Sequence, residues 1–399
     1  MSVGVTYPRG FRAAGVTAGF KPSGHPDLAL LVGDPGTSAA GLFTTNRVAA
    51  APVHVSKARL AAGRGLAVLV NSGQANAATG QHGVTDAFGS SAAVADLLGL
   101  PADDVLTCST GVIGEPLHMV ELLSALPALT RALSEEGGAD FARAIMTTDT
   151  VAKSAEADAA TFRVGGAAKG VGMISPNLAT MLAFVTTDAP VERSELRLLA
   201  DAELKPRFNA FTVDGCTSTN DTVLLLASGA IGSAPLRPGD GRFEALAEAI
   251  ATVADSLVSQ LIHDGEGATH VLLVDVEGAA SDADARRVAK AVADSPLVKT
   301  AAFGGDPNPG RVVQAVGSSG VDIDPSCIDV WIGDVPLATG GTISPAYFTS
   351  PVLHDAAQAA MQAREFVVRV RVGEGPGRTR VLGCDLSYEY VRINGEYTT

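Results

Sequence analysis

Short apolar runs that stop at glycine, aspartate or serine alternate along this chain with stretches whose apolar residues recur every three or four positions. This alternation constrains the fold most. A strand buried on both faces needs a continuous apolar run, and a helix lying on a sheet needs one apolar stripe. Residues 28–32, 67–71 (AVLVN), 181–185, 270–276 and 366–372 read as strands. Residues 85–98 read as a helix closed by Gly99 and Pro101, and 117–133 carry helical spacing. Phe243, Leu246, Ile250, Val253, Leu257 and Leu261 form one long stripe, the pattern of a sheet-packing helix. Ser281-x-x-Asp284 predicts a capped helix over 285–293, and Ser194 predicts one that Pro206 would end. The glycine- and proline-rich stretch 234–241 reads as an exposed connection. The fold class these segments predict is mixed α/β, with layers of helix covering sheet.

Composition narrows the function. The chain has 399 residues, enough for about two to three domains. Only 18% are charged and 46% are apolar, which excludes a disordered chain or a coiled coil. The formal net charge of −14 repels phosphate backbones and anionic membranes, and no basic cluster exceeds Arg286, Arg287 and Lys290. Neither nucleic acid nor membrane is an expected partner. No run approaches the ~18 apolar residues of a membrane span, and the first residues lack a signal-peptide core, so the expected setting is the cytoplasm. Cys108, Cys216, Cys327 and Cys384 are too scattered for a zinc site and read as reduced, mostly buried thiols. GxxxxGK[ST], GxGxxG, HExxH and GxSxG are all missing, so no metal or other cofactor is expected.

What remains is a set of hydroxyl clusters beside glycine. Ser109-Thr110-Gly111, Thr147-Thr148-Asp149-Thr150 and the run 217–222 (TSTNDT) each adjoin an apolar run, and Lys169 opens a glycine loop that leads to Thr180. Singly, each is more often a turn or a cap. Their number and their position at the ends of apolar runs point to a shared pocket, and a threonine can run acyl transfer without a histidine. A chain cut before Thr180 would give that residue a free α-amine with a pKa near 8, able to take the hydroxyl proton. The oxyanion would need donors, and the Thr110 hydroxyl with the Gly111 N–H could supply them.

At these residues the sequence resembles the ornithine acetyltransferases of arginine biosynthesis, also called glutamate N-acetyltransferases. The resemblance rests on NSGQAN (71–76), CSTGVIG (108–114), IMTTDT (145–150), AKGVGM (168–173), NLATML (177–182), STNDT (218–222), DGEG (264–267), SPLVKT (295–300) and YVRINGEYTT (390–399). It implies self-cleavage between Ala179 and Thr180, with Thr180 as nucleophile and Thr110 and Gly111 as oxyanion donors. An acetyl group would pass from N-acetylornithine to Thr180 and then to glutamate. The implied substrate contacts are Lys169, Glu266, Thr147 or Thr148, Thr180, Asn394 and Thr399. The implied fold is a layered sandwich of helices around stacked sheets with a smaller C-terminal α/β domain. The implied assembly is an α2β2 heterotetramer of the two fragments. The family's DPNWGR segment here reads Asp306-Pro-Asn-Pro309-Gly-Arg311, losing a tryptophan. Asp306, Asn308 and Arg311 read as a structural hydrogen-bond cluster.

Three alternatives stand beside acetyl transfer to glutamate. Water could resolve the Thr180 ester, making an amidase or aminopeptidase. Acetyl-CoA could be a second donor. A paralogue altered at Pro309 could bind ornithine without catalysis, a reading that the intact Thr180, Thr110, Gly111, Lys169 and Glu266 oppose. The expected divisions are 1–190, ending in the cleavage segment, 191–280, continuing the catalytic core, and 281–399, a C-terminal domain.

Overall fold

The computed structural model describes residues 2–175, 181–232 and 234–396. They form two compact units. Of the described residues, the first unit holds those within 2–209 and 216–261, and the second those within 210–215 and 262–396. The sequence divisions at 190 and 280 fall inside the first and second unit respectively.

In the first unit the strands are β1 (Phe11–Val16), β2 (Leu28–Gly33), β3 (Ser38–Phe43), β4 (Ala67–Gln74), β5 (Val105–Val112), β6 (Lys153–Ala159), β7 (Phe162–Lys169), β8 (Leu182–Thr187) and β9 (Thr222–Ala227). They make two sheets, ordered β1-β2-β4-β5 and β3-β9-β8-β7-β6. β4 pairs with β5 in parallel, as β8 does with β9, and the other neighbours are antiparallel. Residues of the two sheets meet in one core, in which Leu31, Val68, Val70 and Leu106 share a cluster with Ala167, Leu182, Phe184, Leu224 and Leu226. The other face of the first sheet is covered by the helices Gly80–Leu98 and Met119–Arg131, through Val94, Leu122, Leu126 and Leu129. Helix Gly241–His263 lies on the other face of the second sheet, with Val253 and Leu257 against Gly166. The result is helix, sheet, sheet, helix.

That last helix is long and apolar enough, by length and composition, to cross a membrane, which corrects the expectation that no such stretch exists. Its stripe from Phe243 to Leu261 is at most 6% exposed inside the protein, the packing of a core helix.

The second unit carries β10 (Val271–Ala279), β11 (Asp329–Ile332), β12 (Val335–Thr339), β13 (Thr342–Ile343), β14 (Glu365–Arg371) and β15 (Gly377–Cys384), ordered β13-β12-β11-β14-β10-β15. Helices Asp282–Asp294, Pro296–Gly304, Pro309–Gly317 and Pro351–Ala360 share its apolar core.

Local chemistry explains most boundaries. Ser281 Oγ accepts the Asp284 amide at 3.1 Å and caps a helix that starts at Asp282, three residues before the expected 285. Gly99, with φ of 67°, closes Gly80–Leu98. Pro309 takes the first turn of its helix behind an Asn308 cap (Asn308 Oδ1 to Arg311 N, 3.1 Å), where a missing N–H leaves no bond unmade. Asn308 Nδ2 also donates to Asp306, and Arg311 donates to the Leu297 carbonyl, so these three residues are bound into local structure. The Ser194 expectation needs correction. That helix begins at Arg193 and passes Pro206 through a π-helical turn, Ala200–Leu204, before a last turn Lys205–Phe208. A π-turn shifts the hydrogen-bond register, which lets a proline be accommodated without ending the helix. The cysteines are free, but only Cys108 and Cys384 are buried.

Candidate active site

Strand register gathers the chemistry at one edge of the first unit. Lys169 ends β7 opposite Leu182 at the start of β8, and Leu182 in turn faces Thr222 at the start of β9. Thr110 and Gly111 lie near the end of β5 in the facing sheet, in register with Ser72 and Gly73 of β4. Lys169 Nζ donates to Thr110 Oγ1 at 3.1 Å, and both side chains are buried. The hydroxyl oxygen is therefore occupied as an acceptor, and its own hydrogen is free to aim at a developing oxyanion. The ammonium adds positive charge beside it.

Gly111 has a packing reason as well as a chemical one. Its φ is 128°, and a Cβ there would lie 2.2 Å from the Gly73 carbonyl oxygen. On that side the neighbouring strand leaves no room for a side chain.

Asn220, at the head of β9, ties the facing sheet in place. Its Nδ2 donates to the carbonyls of Ala75 (2.6 Å) and Ser109 (2.8 Å), just beyond β4 and just before Thr110. Ser109 Oγ donates to Asn71 Oδ1 at 2.6 Å, and Asn71 Nδ2 to the Gln74 carbonyl at 2.8 Å. Three of the motifs read separately in the sequence thus form one buried polar network.

Thr147 leads into a second network. Its amide donates to Asp149 Oδ2 at 3.0 Å, while Asp149 Oδ1 accepts Lys153 Nζ at 2.6 Å and the Gly170 amide at 2.8 Å. Asp149 and Lys153 are completely buried as a pair. Burial alone would raise the Asp149 carboxyl. The Lys169 and Lys153 ammoniums and the Gly170 N–H outweigh it and hold the group below the usual carboxylate range. Thr148 is half-buried.

Asp221 behaves oppositely. Its Oδ1 accepts the Met181 amide at 3.1 Å, and its Oδ2 is buried without a hydrogen-bond partner among the described residues. Burial pushes its carboxyl well above the usual range, against the Met181 N–H and the Lys169 charge. Cys108, two residues before Thr110, is raised by burial to about 12 and is no nucleophile at neutral pH.

Of the other sequence-predicted residues, Glu266 and Asn394 meet within the second unit. Asn394 Nδ2 donates to Glu266 Oε2 at 2.8 Å from helix Tyr388–Glu396. That helix docks closely, because a Cβ on Gly267 (φ 67°) would lie 2.5 Å from the Tyr390 amide, and Ser387 Oγ donates to the Gly267 carbonyl at 2.6 Å. Ala179, Thr180 and Thr399 lie outside the described residues.

Sequence reading gave no role to Lys153, Asp221, Asn220 or Lys21. Asp149 and Asn220-Asp221 sat in motifs already singled out, which was the available signal. Lys153 and Lys21 stand in unremarkable surroundings and carried none. Among the described residues, no three His, Cys, Asp or Glu side chains converge as a metal site.

Known proteins give this geometry a family. A curated protein of Symbiobacterium thermophilum named arginine biosynthesis bifunctional protein ArgJ is 46% identical over 99% of this chain and 98% of its own. One of the same name from Thermus thermophilus is 45% identical over 99% of this chain and all of its own. A crystal structure of arginine biosynthesis bifunctional protein ArgJ from Bacillus halodurans is 37% identical, with a TM-score of 0.50. It covers 54% of this chain and 98% of that one. The ArgJ family pattern matches residues 12–399, and the chain belongs to the ArgJ family.

Proposed function

We propose that the chain transfers an acetyl group from N-acetylornithine to glutamate through an ester on Thr180, after cutting itself between Ala179 and Thr180. The observation that carries the reading is the Lys169–Thr110 hydrogen bond beside Gly111, a donor set ready before substrate arrives. The Thr180 α-amine takes the hydroxyl proton and the oxygen attacks the acetyl carbonyl. The Thr110 O–H and the Gly111 N–H hold the oxyanion, with Lys169 adding charge. Ornithine leaves with the proton, the amine of glutamate attacks the ester, and the threonine hydroxyl is restored. Glu266 serves as the anion for the distal ammonium of ornithine, and Lys169 as a cation for carboxylate. Thr147 or Thr148, Asn394 and Thr399 complete the substrate contacts.

Two observations support the cut. The Bacillus halodurans chain is matched over nearly its whole length, yet it spans little more than half of this one. Residues 180–399 are likewise a little over half of the chain. The second sheet also suits fragments that stay together: β3, β6 and β7 precede the cut, β8 and β9 follow it, and β8 pairs with β7 as β9 does with β3. In this reading the fragments assemble as an α2β2 heterotetramer and work in the cytoplasm. The relatives' designation as bifunctional favours a second activity, which we read as use of acetyl-CoA as donor to glutamate.

A denaturing gel of purified protein should show two bands, and Thr180→Ala one band with no transfer. Labelled N-acetylornithine is then supplied with and without glutamate. Ornithine release that needs glutamate supports the transferase, whereas equal release without it would make the enzyme a hydrolase. Acetylglutamate formed from acetyl-CoA reports the second activity.

A further inference from the structure

Glutamate differs from the donor in charge. N-acetylornithine brings one carboxylate, and glutamate brings two. Lys169 is already engaged with Thr110 and lies in the field of Asp149. A second cation is therefore a chemical need of the acceptor half of the reaction, and the segment leading from β1 to β2 supplies one.

That segment is shaped by a single carboxylate. Asp27, fully buried just before β2, accepts the Ala18 amide on Oδ1 (2.6 Å) and the amides of Gly19, Phe20 and Lys21 on Oδ2 (3.1, 2.6 and 3.0 Å). Its carbonyl receives the Ser72 amide from β4 at 2.8 Å. Phe20 then packs so tightly on β4 that a Cβ at Gly73 would come within 2.7 Å of its Cβ. Gly73 is the register partner of Gly111. The turn thus sets Lys21 one residue from the backbone pair that holds the oxyanion donors. Lys21 Nζ donates to the Pro26 carbonyl at 2.6 Å, which uses one of its three N–H groups.

We propose that Lys21 is the second cation of the acceptor site, binding the distal carboxylate of the incoming amino acid and so selecting glutamate over uncharged acceptors. The proposal rests on the acetyl-transfer reading above. The electrostatic surroundings agree. Burial, first, and the Lys169 charge lower the Lys21 ammonium to about 8, while Asp27 and Asp149 oppose them. An ammonium poised there gains more from an arriving carboxylate than a solvated lysine would.

The test compares wild type, Lys21→Met and Lys21→Arg with glutamate and with glutamine as acceptor, N-acetylornithine being the donor. Lys21→Met should lower kcat/KM for glutamate about 30-fold, chiefly through KM, and change glutamine by less than about threefold. Lys21→Arg should keep most of the preference. The single-turnover release of ornithine, which needs no acceptor, should fall far less than kcat/KM for glutamate in Lys21→Met. The wild-type ratio of glutamate to glutamine kcat/KM should fall as pH rises through about 8, where the ammonium is lost, and the Arg variant should lack that fall. An unchanged preference in Lys21→Met overturns the proposal, and so does an equal loss for both acceptors that Arg fails to restore. A wild type that makes no acetylglutamate from N-acetylornithine overturns the transfer reading itself, a failure visible before any variant is made.

Discussion

Gly111 carries a packing demand that the sequence does not announce. From sequence, glycine beside a threonine suggests room for substrate, and the structure adds that the room on one side is taken by Gly73. Gly111→Ala must both occupy an unfavourable φ and push two parallel strands apart. It should cost on the order of 3 kcal/mol in denaturant unfolding, along with transfer activity. Unfolding unchanged from wild type would mean that β4 and β5 part freely. The Asp149–Lys153 pair makes a second demand. Lys153→Met leaves a carboxylate buried without the ammonium that hydrogen-bonds it, and should cost about 3–5 kcal/mol at neutral pH. The sign with pH follows from the depressed carboxyl. Its stabilisation is present above the ordinary carboxylate range and is lost as pH falls through the lower native value. Removing Lys153 raises that native value, so acid unfolding monitored by circular dichroism should set in at higher pH in the variant. An identical acid midpoint would contradict the pairing. None of this was readable beforehand, because Lys153 lies at an ordinary strand start and only the fold removes it from water.

At the level of elements, the sequence was most informative where local chemistry decides. The buried strands, the stripe from Phe243 to Leu261 and the Ser281 cap all follow from periodicity or one hydrogen bond. Ser281→Ala should lower stability by ~1 kcal/mol, read as a small drop in Tm, and no drop would mean that packing alone fixes the helix start. Reading fell short where distant segments cooperate. Pro206 looks like a stop, yet the π-turn before it carries the helix on. The parallel pairing of β4 with β5 and of β8 with β9 depends on partners far along the chain, and no local pattern announces it. Lys21 belongs to the same class, since its position comes from Asp27 and from the strand beyond it.

For the whole molecule, the decisive fact is which strands share a sheet. Neither side of residue 180 contains the second sheet complete. If the chain is cut there, the fragments should elute together in native buffer and unfold in one transition, separating only in denaturant. Two species in native size measurement would show that the β7–β8 and β3–β9 ladders do not hold them. The same interleaving orders events in time. If the chain is cut before Thr180, β8 and β9 would have to be seated between β7 and β3 first, because two separate pieces would have to find that arrangement by collision. On the proposed reading, cutting would then be a certificate of correct folding: a polypeptide that had mispaired its strands would never liberate the amine that the transfer needs, and would stay inert.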